Sequence, residues 1–438
     1  MNPSLKIKTL DDFILLRTLG SGLSGKVKLA RHKKSGALFA VKILDYARFD
    51  AKEKDEIFKN LRNELTVLKK LDHPNIIQLY EVVEKGSYRG SSKKTVSYAT
   101  LEFAAKGEIF DVLSRTGPLG ENTARSYFGQ LLSAMEYLSS QGVAHRDIKP
   151  ENLLLSEKLL LKLVDFGFAT GFDPTRKNLT RLGTERYMAP EVLACKPYNA
   201  VKADVFSAGI VLFIFVTGRP PFLQADQNDH IYRAFLQARP AFWTSHEKML
   251  GREIPADFKA LIAGMLDLDP ELRLSFEGIR ASQWMSKPVD AELALADMTK
   301  KHQATQQLIQ VEKAALKKPQ PFLEESTREV ESDSFFADLQ VREEEESPTS
   351  CFRVKTSDVV PLLEQVRAQL ENDTLIFERQ GHRVFIESHK GGEVTRVKLC
   401  VGRLGAGEFA VWLVKVEGDY LEVQEIKRKF GDAIKGVV

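Results

Sequence analysis

The chain has 438 residues, of which 43% are hydrophobic and 28% charged, and its formal net charge is +3. That length holds two or three domains with real cores, and the composition is that of an ordinary globular protein rather than a fibrous or disordered one. Near-balanced charge excludes a field that would make nucleic acid or a membrane surface the main partner, and the cysteines Cys195, Cys351 and Cys400 lie too far apart for a disulfide framework or a metal-ligand motif.

Met1 to Asp12 carries no apolar run of signal-peptide length, and the longest apolar run, Ile210 to Val216, is too short to span a bilayer. The expectation is a cytoplasmic chain, with the nucleus also open, and no transmembrane segment. Residues 13–30 alternate apolar and polar around Gly20, Gly22 and Gly25, which predicts strand, glycine turn, strand. Glycines there let backbone N–H groups approach phosphate oxygens. A dinucleotide-binding unit would place a helix next and an acid about twenty residues on. Here a strand follows instead, and then Phe39 to Ile43, a second strand whose Lys42 can reach phosphate. Residues 50–71 predict a helix with Glu64, Val67, Leu68 and Leu71 on one face. Glu64 is read as the partner of Lys42 rather than as one more surface acid. Residues 85–95 are polar and glycine/serine-rich and predict an exposed hairpin loop. Thr100 to Ala104 predicts the strand and connection that join two lobes, and Lys106-Gly107-Glu108 opens the next helix.

The decisive stretch is His145-Arg146-Asp147-Ile148-Lys149-Pro150-Glu151-Asn152, followed by Asp165-Phe166-Gly167. Asp147 can accept a hydroxyl proton. Asn152 and Asp165 are hard oxygen donors of the kind Mg²⁺ prefers, and Lys149 can neutralise a transferring phosphoryl group. Octet and tripeptide at this spacing form the signature of protein kinases. Residues 13–285 resemble a eukaryotic protein kinase of the calcium/calmodulin-dependent-kinase-like group, close to AMP-activated-kinase-related and checkpoint-type enzymes. The resemblance implies an α+β bilobal fold, with a small β-rich lobe (13–104) and a mainly helical lobe (105–285). It implies ATP and Mg²⁺ as cofactors, protein substrates, and Ser/Thr rather than Tyr specificity from Lys149. By the same resemblance Leu19, Gly20, Gly22, Gly25, Val27, Ala40, Lys42, Leu101, Glu102, Ala104, Glu108, Leu154 and Asp165 hold the nucleotide. Asn152 and Asp165 take the metal. Asp147, Lys149, Lys42, Glu64 and Thr184 serve catalysis, with Thr184 bridging Asp147 and Lys149. Glu108 stays open between a contact to ribose or to a basic substrate side chain and an acid that favours a helix N-terminus. Glu108 and Glu151 imply substrates with basic residues before the phosphoacceptor.

The run Gly183 to Glu191 resembles the segment that receives substrate. Asp204 is implied to hold the catalytic loop and Arg273 to pair with Glu191. Phe206 stands where the family usually has Trp, and Glu185 where Pro is common. Thr180 is in register with a regulatory phosphosite, with Arg146 placed to pair with the phosphate that an upstream kinase would add. A scaffold without turnover is the competing reading. It is disfavoured because Lys42, Glu64, Asp147, Asn152 and Asp165 are all present.

Residues 286–350 read as a linker: a partly exposed helix over 290–317, then a stretch at 324–348 with ten acids against two arginines, predicted disordered. Within residues 351–438, a helix over Asp358 to Leu370 precedes four alternating segments at 374–379, 383–388, 394–401 and 408–416. A closing helix is opened by Asp419. This predicts an antiparallel sheet covered by two helices, and its order resembles a kinase-associated-1 domain. Such tails bind acidic lipid, bind a regulatory subunit or fold back on the kinase. Fourteen basic against thirteen acidic residues argue against a strongly lipid-attracting surface.

Overall fold

The computed structural model describes residues 8–22, 25–44, 64–90, 93–171, 184–317, 341–343, 352–355, 359–371, 375–380, 383–390, 393–405, 408–417, 426, 429–430 and 433–434. They fall into two compact units, Met1–Lys317 and Lys318–Val438.

In the first unit six strands close a small barrel. They are β1 (Thr9–Leu10), β2 (Phe13–Gly22), β3 (Gly25–His32), β4 (Leu38–Leu44), β5 (Leu79–Arg89) and β6 (Lys93–Leu101), in the order β1-β2-β3-β4-β6-β5. Alternation sends Phe13, Leu15, Val41, Ile43, Val96 and Tyr98 into one buried cluster. The stretch 85–95, expected as a loop, is mostly strand, since β5 and β6 stay paired out to Arg89 and Lys93. The reason is β1, which the sequence pattern does not announce. It pairs with Phe13 and Ile14 on one side and with Tyr88 and Arg89 on the other, so the polar end of β5 is bonded on both edges. Asp11 pins this closure, accepting the Ser87 N–H at 2.9 Å and the Tyr98 hydroxyl at 3.0 Å. Gly86 is required there. A Cβ on it would lie 2.4 Å from the Tyr98 ring, and β5 shifts register just before it. Residues 64–68 are the described part of helix α1, and residues 69–70 already turn.

In the second lobe β7 (Gly107–Glu108) leads into α2 (Ile109–Thr116) and α3 (Glu121–Ser140). Four short strands follow, β8 (Val143–Ala144), β9 (Leu153–Leu155), β10 (Leu161–Leu163) and β11 (Thr170–Gly171), in the ribbons β10-β9-β7 and β11-β8. After α4 (Pro190–Leu193) comes α5 (Ala200–Thr217). Asn199 opens it by accepting the Val201 and Lys202 N–H groups, and Gly218 closes it in a left-handed conformation. By length and composition α5 is apolar enough to cross a membrane, but 83% of it is buried within the protein. It is the core of this lobe, hydrophobic all round because it is surrounded on all sides. The helices α6 (His230–Gln237), α7 (Arg239–Leu250), α8 (Ala256–Met265) and α9 (Phe276–Ala281) complete the lobe. The helix over 290–317 is α10 (Ala291–Lys317), with Leu293 and Leu295 exposed. Ala294, Met298 and Thr305 are buried along one stripe that faces α2 and α3.

The second unit contains β12 (Val341–Glu343), β13 (Phe352–Lys355), α11 (Val359–Glu371), β14 (Leu375–Gln380), β15 (Arg383–Lys390), β16 (Glu393–Gly405) and β17 (Glu408–Glu417). Five strands are antiparallel in the order β13-β17-β16-β15-β14, so the four expected segments gain β13. A sixth strand, β12, corrects two expectations, that the acidic stretch is wholly disordered and that the sheet is purely antiparallel. It pairs parallel with Val401 to Arg403 of β16, on the edge left bare where the pairing with β15 stops at Leu399. Helix α11 buries Leu363, Val366 and Leu370 on one face. Residues 426, 429–430 and 433–434 are helical, while the expected cap Asp419 lies outside the described residues.

Candidate active site

The chain leaves β8 into the loop His145–Asn152, and two non-glycine residues around it, Arg146 and Asp165, have φ of 65° and 64°. Left-handed backbone at such residues costs on the order of 1–3 kcal/mol each and persists only where the surroundings hold it. At Arg146, Asp204 of α5 supplies that hold, accepting the His145 N–H at 2.7 Å and the Arg146 N–H at 2.8 Å. Burial pushes the Asp204 carboxyl up to about 7, against the pull of those two bonds and of Arg146. His145 is fully buried, bonds to the Val164 carbonyl at 3.0 Å and meets the Phe166 ring edge-on at 4.9 Å. Burial drives its imidazole below the usual range, so it stays neutral.

Asp147 sits where these supports converge. Its Oδ1 accepts from the Thr184 N–H at 2.9 Å and hydroxyl at 3.0 Å, and its Oδ2 meets the Lys149 ammonium at 2.9 Å. Lys149 also donates to the Thr184 hydroxyl at 2.6 Å, closing a three-membered ring of contacts. The Asn152 amide nitrogen donates to the Asp147 carbonyl at 2.8 Å and to Oδ2 at 3.1 Å. Burial works to raise the Asp147 carboxyl, but the charge and hydrogen bond of Lys149 outweigh it and hold the group below the ordinary carboxylate range.

On the other side of the cleft Lys42 of β4 grips both carboxylate oxygens of Glu64, at 2.8 and 2.6 Å. Burial pushes the Glu64 carboxyl up, Lys42 opposes it, and the charge of Asp165 adds to it. His145 in turn feels the charges of Asp147, Asp165 and Lys149. Asp165 is therefore electrostatically in touch with both the Lys42–Glu64 pair and the Asp147 loop.

Comparison with known proteins agrees with this geometry. The model of the protein kinase domain family matches residues 13–285. The chain belongs to the protein kinase family. It is 38% identical over 300 residues to CBL-interacting protein kinase 28 of Oryza sativa subsp. japonica, covering 68% of this chain and 64% of that one. It is 38% identical over 272 residues to the serine/threonine-protein kinase SIK1 of Mus musculus, covering 61% and 32%. Against the probable serine/threonine-protein kinase MARK-A of Dictyostelium discoideum it is 36% identical over 282 residues, covering 64% and 24%. The chain thus spans less than two thirds of the length of these relatives.

Protein kinases use ATP with Mg²⁺, and the donor set of this kinase fits both. Asn152 spends its amide nitrogen on Asp147 and keeps an oxygen that can face a cation, and exposed Asp165 adds a carboxylate whose Oδ1 accepts the Gly167 N–H at 3.3 Å. Among the described residues no cluster of three His, Cys, Asp or Glu could hold a metal by itself. Those of the expected nucleotide residues that lie in strands divide between two sheets, the barrel and the ribbon β10-β9-β7. Gly22 pairs with Gly25 and Gly20 with Val27 on the glycine hairpin, Val27 with Lys42, Ala40 with Leu101, and Glu108 with Leu154. Leu19 is half-buried on the same hairpin. At the hinge the Glu102 carboxylate turns to Lys162 at 2.8 Å and its N–H bonds to the Gln78 carbonyl at 2.8 Å. Ala104 follows, buried. Glu108 stands at the N-cap of α2.

Arg273 bonds both oxygens of Glu191, at 2.8 and 3.0 Å, and its guanidinium lies 5.0 Å from the centre of the Phe206 ring. The ring that replaces Trp therefore still has a stacking partner. Arg146 donates to the Phe168 carbonyl at 2.7 Å and bonds to Tyr198. Thr180 lies outside the described residues. Sequence reasoning missed two supports, the His145–Phe166 contact and the Lys162–Glu102 pair. The second left a signal, since Lys162 sits between Leu161 and Leu163 in a fully buried strand and a buried lysine needs a partner.

Proposed function

We propose that this chain transfers the terminal phosphoryl group of ATP to serine or threonine hydroxyls of protein substrates. The observation that carries it is the Asp147 carboxylate, held ionised between Lys149 and Thr184 and opposite the Lys42–Glu64 pair. ATP, bound with Mg²⁺, supplies the phosphoryl group. Asp147 accepts the hydrogen bond of the incoming hydroxyl and aligns it for in-line attack, while Lys149 stands ready to neutralise charge on the group in transit. Lys42, fixed by Glu64, orients its ammonium toward the phosphates. Asn152 and Asp165 would hold the cation.

The finer reading has three parts. Phosphorylation at Thr180 orders the activation segment through Arg146. Glu108 and Glu151 favour substrates with basic residues before the acceptor. The second unit modulates the first.

A peptide-array phosphorylation assay with an Asp147→Asn control tests the activity and the preference together. Asp147→Asn should lower transfer by about 10²-fold or more, the scale of a lost general base, and labelled peptides should be enriched in Arg and Lys before Ser or Thr. Equal transfer by Asp147→Asn would refute the mechanism.

A further inference from the structure

In the second unit, β12 and β13 enter one sheet from opposite sides. β16 runs antiparallel to β17, and β17 antiparallel to β13, so β13 points the same way as β16. β12 pairs parallel with β16. It is therefore parallel to β13, with the β16–β17 pair between them. Their registers lie side by side: one row runs Val341, Val401, Val411, Phe352, and another runs Glu343, Arg403, Phe409, Val354. The link between the two strands is residues 344–351, eight residues from the end of β12 at Glu343 to the start of β13 at Phe352.

Within a single chain that link has to go back by two rows and cross three strand spacings of about 4.8 Å each, lifted clear of a sheet face. Parallel strands ordinarily need a connection of a dozen or more residues. The return on this tight crossover is small, because the pairing covers three residues although β16 continues to Gly405. The edge itself is open to a strand, since the pairing of β15 with β16 ends at Leu399, and an unpaired stretch of edge is a template for another chain. A short connection under such demand invites the same strand to be exchanged between copies.

We infer that the β16 edge at 401–405 is a docking site for a second copy of this chain, with β12 of each copy pairing parallel along the edge of the other. The exchange is reciprocal and closes with two-fold symmetry, so it gives a dimer rather than a fibre. It keeps every backbone bond of the β12–β16 pairing and relieves the crossover. The chain beyond Glu343 no longer has to double back over its own sheet, which lets the pairing continue toward Gly405. This assembly stands apart from the activity proposed above and survives if that activity is refuted.

The test uses the full chain. Light scattering over a concentration series should give wild type twice the mass of the double variant Arg342→Pro, Glu343→Pro, with an unchanged melting temperature. Neighbouring strand residues point their N–H groups to opposite sides, so one of the two prolines removes a ladder donor whichever way β12 faces. Inserting about six Gly/Ser residues after Glu346 lengthens the link past a dozen, and the intramolecular pairing, favoured by its effective concentration, should return the chain to monomer. A disulfide trap reads the route directly. In a background of Cys195→Ser, Cys351→Ser and Cys400→Ser, the register partners Val341 and Val401 are both replaced by cysteine and oxidised. The natural link should give a dimer band on a non-reducing gel, and the lengthened link a monomer band. A monomer at every concentration, or a disulfide closed within one chain at the natural link length, overturns the inference. So does a dimer that survives the two prolines or the insertion, because it would use another face, and so does a cysteine pair that fails to cross-link.

Discussion

Asp147 is almost fully buried and still ionised, because Lys149 more than offsets the cost of burial. Held ionised, it can accept the hydrogen bond of a substrate hydroxyl and its proton as transfer proceeds. His246 shows the opposite balance. It is buried beside Phe213 and Phe242, bonded to the Pro221 carbonyl, and burial pushes it down to about 4. Between pH about 6.5 and about 4 the unfolded chain gains a proton at this position that the folded chain refuses, so stability falls as pH falls, by about 1.4 kcal/mol per pH unit. Urea titrations at pH 6.5 and 5 should show His246→Phe losing about 2 kcal/mol less than wild type across that interval, and parallel losses would reject the assignment. Asp147, Asn152, Asp165 and Lys42 are legible from sequence because phosphoryl chemistry restricts both their type and their spacing. His145 is less so, since a histidine in the same motif reads equally well as solvated until Phe166 and Val164 are seen to enclose it.

The activation segment begins at a prepared anchor. Arg146 already holds the Phe168 carbonyl and contacts Tyr198, so a phosphate on Thr180 would find a guanidinium oriented by two neighbours. Purified Thr180→Ala should turn over about ten-fold slower or worse, which is about 1.4 kcal/mol of lost transition-state stabilisation, with an unchanged melting temperature. Unchanged turnover would refute the switch. Elements differ in how plainly their sequence speaks. The strands from Phe13 to Leu44 announce themselves by alternation, and α5 by its unbroken apolar run. The polar end of β5 does not, because what holds it is backbone pairing to β1 rather than side-chain burial. The helix of α10 is legible but its packed stripe is not, since that stripe uses an alanine and a threonine beside one methionine, giving little amphipathic contrast. Strand β12 hides among acids because three residues added to a bare edge need no apolar pattern.

At the scale of the whole chain, the catalytic unit reaches Lys317 rather than residue 285, which decides where a deletion is informative. A cut near residue 286 removes α10 along with the second unit and mixes two effects. A chain ending at Lys317 keeps α10 on α2 and α3 and deletes only residues 318–438. If the second unit represses the first, specific activity on a peptide should rise on that deletion, and an equal value would reject intramolecular repression. The family was readable from its motif residues, while in the second unit the alternating pattern announced β14 to β17 but neither β12 nor β13. One further consequence follows from α5. The segment Ala200–Thr217 has the composition of a bilayer-crossing rod and is sheltered solely by its neighbours. Any variant that lets this lobe open briefly bares that rod to water, so the damage surfaces as precipitation or chaperone capture before purified, folded molecules show any loss of rate.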